Sequence, residues 1–226
     1  MAQKPPPSGL RLPMPIWDLP VRLFHWLLPI LLITSYVSVK TDRMALHLLS
    51  GYAMAVLLIF RLIWGFIGSD TARFSRFLRS PLAAIRHIGR MFRREPDNAV
   101  GHNEAGGLMV IGLLALLTIQ VVTGLCANDD GETEGPLMKF ISKGLSDQLS
   151  KAHDVTFKLI MIAVGLHILA VIVYALFKGQ DLVRPMITGR KRLPAATPAP
   201  RMVHPVAAVA VLAIAAAVVF VIARVL

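Results

Sequence analysis

Apolar residues occur in five continuous runs that are too long for the core of a soluble domain. The runs cover residues 23–39, 44–60, 105–127, 159–177 and 206–223, and the first two extend to about residues 19 and 67. A helix that crosses a bilayer needs about 20 mostly apolar residues, so every run is close to this length. The sequence therefore excludes a soluble globular fold and predicts an all-α polytopic membrane protein with five spans.

The distribution of charge predicts how these spans are inserted. The formal net charge of +11 would by itself also fit a nucleic-acid-binding protein. Basic residues, however, concentrate between residues 61 and 101 and after the fourth run, whereas acidic residues dominate the loop after the third run. Short basic loops stay in the cytoplasm, so we expect an inner-membrane protein with a cytoplasmic N-terminus and a periplasmic C-terminus. The basic excess is then an insertion signal that contacts membrane lipids, and no nucleic-acid partner is expected.

Four of the seven histidines lie in or at the ends of the apolar runs: His25, His47, His153 and His167. An ionisable side chain at membrane depth is costly and indicates a functional site. Imidazole binds haem iron, and helix bundles hold cofactors between facing side chains. The sequence contains no Cys-x-x-Cys-His motif, so any haem is held without thioether bonds.

The spacing of these histidines predicts two pairs. His153 and His167 lie fourteen residues apart on one helix, which places them on nearly the same face and roughly 21 Å apart along the axis. His25 and His47 lie near the starts of two antiparallel helices, and therefore at opposite depths. We expect His25 to pair with His167 and His47 with His153, although the apolar runs leave a depth mismatch of roughly 12 Å in the first pair.

Two depth-matched pairs favour bis-histidine ligation of two haems over ordinary hydrogen bonds between helices. A non-haem transporter that uses histidines for protons or metal ions is the alternative from a different class. It would require acidic residues inside the helices, and the cores of the five runs contain none.

Several short motifs together resemble one known family. They are WDLPVRLFHW at residues 17–26, HLLSGY at 47–52, FRLIWGFIG at 60–68 with ARFS at 72–75, GHN at 101–103 and RPMITGR at 184–190. Over about residues 15–190 the chain resembles the prokaryotic cytochrome b561 family of di-haem membrane cytochromes. The resemblance implies a four-helix transmembrane bundle, two haem b groups with axial ligands at the same four histidines, and electron exchange with quinone or another redox protein. A fifth helix after residue 205 lies outside the pattern of the family.

Four further residues are candidates for cofactor binding, each with a structural alternative. Gly51 would let a flat macrocycle approach the backbone, but a small residue also serves ordinary helix packing. Arg22 and Arg61 would bind haem propionates, but basic residues are expected on the cytoplasmic side in any case. His102 would assist quinone binding or proton exchange, or would simply adjoin the cap of the third long helix.

These observations predict a membrane electron-transfer protein of a respiratory chain. It would relay electrons between membrane quinone and a periplasmic redox partner such as a cytochrome c, which would dock on an acidic loop that contains Asp129 and Asp130. The alternative within this class is a membrane anchor subunit of a larger oxidoreductase. The chain would then assemble into a larger oxidoreductase complex, and a homodimer is the other assembly considered. No catalytic motif is present, so a quinone-linked oxidoreductase activity stays open.

The expected domain organisation follows from the same features. Residues 1–16 form a mobile cytoplasmic tail, residues 17–190 form the di-haem bundle, residues 191–203 form a linker, and residues 204–226 form the extra transmembrane helix.

Overall fold

A computed structural model of the chain describes residues 10–78, 80–89, 94, 96–130 and 133–224. Within this part of the chain the elements follow one another as β1 (Arg11–Pro15), α1 (Leu19–Lys40), α2 (Met44–Ile67), α3 (Phe74–Phe77), α4 (Pro81–Ile88), α5 (Glu104–Leu125), α6 (Lys143–Val173), α7 (Val183–Thr188), β2 (Arg190–Pro194) and α8 (Pro205–Arg224). A 3-10 turn at Met138–Phe140 precedes α6, and a π-helical turn at Tyr174–Lys178 continues it.

Five of these helices are long and apolar enough to cross a membrane, which confirms the predicted all-α polytopic fold. They are α1, α2, α5, α6 with its π-helical turn, and α8. The outer surfaces of these helices carry large apolar side chains, such as Ile33 and Phe66, that are well exposed in the isolated chain. Such side chains are compatible with a lipid surrounding and not with water.

The first two helices form an antiparallel hairpin that is fixed at both ends. Asp18 caps α1, because one carboxylate oxygen accepts a hydrogen bond of 2.8 Å from the backbone N–H of Val21. Its other oxygen accepts a hydrogen bond of 2.9 Å from Nε1 of Trp64 near the end of α2. At the opposite end, the predicted tight turn after Lys40 leads directly into α2.

Helices α5 and α6 form a second hairpin, and α2 packs against α5 to join the two hairpins. Asn103 caps α5 by accepting a hydrogen bond of 2.7 Å from the backbone N–H of Gly106. In the loop before α6, the side chain of Asn128 donates to Ser146 and Asp147, which orders the connection.

The fifth long helix, α8, packs against α2 on the outside of the bundle. Four small or branched side chains of α8 are buried: Ala208, Val211, Ala215 and Val219. The first three belong to the same apolar core as the bundle.

The two short strands tie the beginning of the chain to the segment after α7. Strands β1 and β2 pair antiparallel, and the backbone N–H groups of Ile16 and Trp17 both donate to the carbonyl of Gly189. Residues 1–9 of the predicted mobile tail lie outside the described residues, but residues 11–15 form a strand. Residues 190–194 also form a strand, which crosses the predicted boundary between the bundle and the linker. Both strands contain proline and lack a regular apolar alternation, so their sequences carry little strand signal.

Candidate functional site

The structure brings four histidines together in two pairs, in the combinations expected from the sequence. The ring centres of His25 on α1 and His167 on α6 lie 6.2 Å apart, and those of His47 on α2 and His153 on α6 also lie 6.2 Å apart. We call these pairs the His25 site and the His47 site. The expected depth mismatch is absent, because the two rings of the first pair lie at the same depth, 6.2 Å apart. His25 lies six residues after the start of α1, which begins before its apolar run.

The spacing of both pairs fits an iron atom between the two rings. An imidazole nitrogen lies about 2 Å from a bound metal ion and the ring centre roughly 1 Å further, so two rings on one ion have centres about 6 Å apart. Rings at 6.2 Å are too far apart for a direct hydrogen bond between their nitrogens. The geometry therefore favours a group held between the histidines over contact of one histidine with the other.

The ring of His47 is oriented by the first helix. Its Nδ1 lies 3.1 Å from the backbone carbonyl oxygen of Ser35 and 3.0 Å from the hydroxyl of the same residue. A carbonyl oxygen can only accept, so Nδ1 carries the proton and donates it. The lone pair is then on Nε2, the nitrogen available to a metal ion.

The ring of His153 is oriented in the same way by α5. Its Nδ1 lies 2.9 Å from the carbonyl oxygen of Gln120 and 3.3 Å from Oγ1 of Thr123. Nε2 lies 3.0 Å from the side-chain amide nitrogen of Gln120 and accepts its hydrogen bond, so Nε2 carries no proton. A metal ion bound by Nε2 would take the place of this amide. Gly124 completes the cradle, because a Cβ at this position would lie 2.8 Å from Cε1 of the ring.

Gln120, Thr123 and Gly124 were not among the site residues predicted from the sequence. The sequence feature that could have identified them is the polar Gln120 inside an otherwise apolar run. Thr123 and Gly124 follow about one helical turn later on the same face.

The His25 site is covered by α7. Nη1 of Arg22 donates to the carbonyl of Ile187, and Nε1 of Trp26 donates to the carbonyl of Met186 at 3.3 Å. Two polar atoms in this region are buried without a hydrogen-bond partner, Nδ1 of His25 and Nε of Arg22. Unpartnered buried polar atoms are rare in folded proteins, and the unpartnered guanidinium nitrogen of Arg22 indicates that an additional acidic group belongs here.

Arg61 provides a third such atom near the same end of the bundle. This residue is 2% exposed, and its guanidinium lies 5.0 Å from the ring centre of Phe74. Its Nη1 is buried without a partner. A buried guanidinium with a free donor is well suited to a carboxylate such as a haem propionate.

His102 lies in the segment just before α5, between the rings of Trp17 and Phe77 at 4.6 and 4.8 Å. Burial lowers the pKa of His102 to about 3, and the positive charge of Arg61 acts in the same direction, so the ring is neutral at physiological pH. Asn103, and not His102, caps α5. A polar cavity of about 290 Å³ opens beside His102, and Lys178 also lines it.

Gly51 faces open space one turn after His47. A Cβ built on this glycine would meet no atom within 4 Å. A tightly packed neighbouring helix is therefore not the reason for a glycine at this position, whereas space for a flat group beside the backbone is present.

Comparison with known proteins also points to a membrane cytochrome. The family described as "Prokaryotic cytochrome b561" matches residues 16–189, a range that contains all four paired histidines and ends before α8. A curated relative from Bradyrhizobium diazoefficiens, named "Probable Ni/Fe-hydrogenase B-type cytochrome subunit", is 22% identical over 211 residues. The alignment covers 78% of this chain and 85% of the relative. No solved structure matches the chain significantly.

Proposed function

This chain belongs to the prokaryotic cytochrome b561 family, and we propose that it is a di-haem b-type cytochrome relaying electrons across the bacterial inner membrane. Membership of the family makes it a multi-pass membrane cytochrome of the b type that acts in electron transfer. The observation that carries the finer proposal is the equal spacing of 6.2 Å in both histidine pairs, at opposite ends of the same bundle.

The two histidines of each pair would hold one haem b between them. A haem bound in this way supplies a one-electron redox centre. The chain contributes the orientation of the ligands, through the carbonyl groups of Ser35 and Gln120 that bind Nδ1 of His47 and His153. Arg22 and Arg61 would bind propionates at the His25 site, and Gly51 leaves room for the macrocycle at the His47 site.

The charge distribution supports an orientation with the His25 site near the cytoplasm. The basic strand β2 and the described arginines just after α2, Arg73 and Arg76, lie at the same end of the bundle as His25. The acidic loop between α5 and α6 lies at the end with His47 and His153. By the positive-inside rule, the two sites then face opposite sides of the membrane, and the C-terminus is periplasmic.

The polar cavity beside His102 is the best candidate for a quinone headgroup. It lies at the cytoplasmic end in this orientation, and the side chains of His102, Asn103 and Lys178 line it. A quinone carbonyl needs hydrogen-bond donors of this kind and a route for protons.

The acidic loop is the proposed docking surface for a periplasmic redox partner. Its charge is partly neutralised, because Lys143 forms ion pairs with Asp130 and with Asp147. The loop therefore retains a moderate negative charge that would attract a basic soluble protein such as a cytochrome c.

A second candidate function is that of a membrane anchor subunit in a larger oxidoreductase. The observation that favours it is the similarity to a relative named as a hydrogenase cytochrome subunit. Both functions require the same haems, so they differ only in what binds the periplasmic face. Affinity purification of the tagged protein from gently solubilised membranes distinguishes a stable oxidoreductase complex from a transient carrier.

The deciding experiment is an oxidised-minus-reduced absorbance spectrum of the purified full-length protein, with a haem assay. We expect two extractable b-type haems per chain, and one haem per chain in His47→Ala or His153→Ala. Replacement of the exposed His204 by alanine is the matched control and should leave two haems. A colourless protein after expression with ample haem would overturn the proposal and favour the non-haem transporter.

A further inference from the structure

The two histidine pairs differ in the hydrogen bonds made by their rings. At the His47 site both histidines have Nδ1 within hydrogen-bond distance of a backbone carbonyl, from Ser35 and from Gln120. At the His25 site, Nδ1 of His25 is buried without a partner. Within the part of the chain that the structure describes, no hydrogen bond reaches the ring of His167.

The contrast extends to side-chain hydroxyl groups. Oγ of Ser35 lies 3.0 Å from Nδ1 of His47, and Oγ1 of Thr123 lies 3.3 Å from Nδ1 of His153. The hydroxyl of Thr123 donates its own proton to the carbonyl of Ile119 at 2.7 Å, so its oxygen is free to accept from the histidine. Each Nδ1–H of the His47 site therefore faces two oxygen acceptors.

These acceptors change the electronic character of the ligands. A histidine whose Nδ1–H donates to an oxygen is a more basic ligand through Nε2. A more basic axial ligand stabilises the oxidised, more positively charged iron, which lowers the midpoint potential of a haem. At the His47 site both ligands are of this kind, so both lower the midpoint potential. At the His25 site, His25 has no such acceptor and does not lower it in this way.

A positive charge adds to the difference. Arg22 lies one helical turn before His25, and the described residues provide no acidic partner for its guanidinium. A nearby cation favours the state with one more electron, also when it offsets the negative charge of a haem propionate, and thus raises the midpoint potential at the His25 site. Arg61 adds less, because Asp18 interacts with it electrostatically and offsets its charge.

We propose that Ser35, Gln120 and Thr123 form a hydrogen-bond shell that gives the His47-site haem a lower midpoint potential than the His25-site haem. This inference rests on the proposed binding of two haems and specifies how the chain orders them. With both haems bound, a single electron would reside mainly at the His25 site, where the midpoint potential would be higher. Ser35 and Thr123 are positioning residues, since they act only through the ligating histidines.

The test is a redox titration of the full-length protein in detergent, followed in the α-band region and resolved into two one-electron components. The variants are Ser35→Ala, Thr123→Val and the double variant, each removing a hydroxyl while leaving the backbone carbonyl in place. We expect the lower-potential component to move to higher potential, by more in the double variant than in either single variant. The higher-potential component should stay unchanged.

Matched controls are available on the same two helices. Thr34→Ala and Thr118→Val remove hydroxyl groups that donate only to carbonyls of their own helix, those of Ile30 and Leu114. Both controls should leave both midpoint potentials unchanged. Ser35→Thr and Thr123→Ser retain the hydroxyl and should keep the potential of the parent protein.

Two readouts separate this inference from the proposed function. A haem assay on every variant shows whether two haems are still bound, and the low-spin electron paramagnetic resonance signals report the ligand field of each haem. The inference would be overturned if the double variant bound two haems and the lower midpoint potential stayed unchanged. It would also be overturned if only the higher midpoint potential shifted. Absence of haem in the parent protein would instead overturn the proposed function.

Discussion

The backbone of Gly124 lies directly against the imidazole ring of His153. A Cβ on this glycine would stand 2.8 Å from Cε1 and 3.1 Å from Nδ1 of the ring. The ring is therefore held between the bare backbone of one α5 turn and the carbonyl of Gln120 one turn earlier. A change of one methyl group at this position must displace a proposed iron ligand.

Gly124→Ala is expected to lower haem occupancy at the His47 site, from two haems per chain towards one. The added methyl group would force the ring of His153 away from its two acceptors. Gly112→Ala on the same helix is the matched control, because a Cβ there meets nothing within 4 Å. A haem assay measures the number of haems bound per chain in each variant. Equal haem occupancy in Gly124→Ala and Gly112→Ala would contradict the proposed contact.

Gly51→Leu is expected to reduce haem binding at the His47 site without unfolding the chain. The space beside Gly51 would accept the new side chain, which would then occupy the volume proposed for the macrocycle. Gly144→Leu, at a position that is equally open but near the start of α6, serves as the control. If circular dichroism shows native helix content and both variants retain two haems, Gly51 does not border the cofactor.

Asp18→Ala is expected to destabilise the protein by about 1–3 kcal/mol, because it removes the cap of α1 and the acceptor for Trp64. Thermal unfolding in detergent measures the effect. Asp154→Asn disrupts an exposed ion pair with Lys158 and should change stability by less than about 1 kcal/mol. Equal losses in the two variants would show that Asp18 does not connect α1 to α2 as described.

Truncation after residue 203 is expected to preserve both haems while lowering the unfolding temperature. The four paired histidines lie on α1, α2 and α6, whereas α8 covers α2 with apolar side chains such as Val211 and Ala215. Loss of α8 would therefore expose core residues without removing a proposed ligand. Loss of haem from a well-folded truncated protein would show that α8 belongs to the cofactor-binding unit and not to a separate terminal span.

The sequence was sufficient to identify the histidine pairs because their positions depend on two regular quantities. The helical repeat places His153 and His167 on one face, and the antiparallel order of α1 and α2 places His25 and His47 at opposite depths. The apolar runs, however, predicted a depth mismatch between His25 and His167 that the 6.2 Å spacing of their rings does not show. Helix α1 begins at Leu19, four residues before its apolar run, because Asp18 caps the free backbone groups there.

By itself, the sequence determined the five spans and the ionisable residues that stand out within them, because both depend on local composition and spacing. Only the tertiary structure decided which groups surround each histidine. Whether Ser35 or Thr34 reaches His47, and whether Gln120 or Thr118 reaches His153, depends on the rotation of each helix about its axis. Packing between helices fixes that rotation. The sequence encodes it only weakly, because the side of a membrane helix that faces lipid is as apolar as the side that faces other helices.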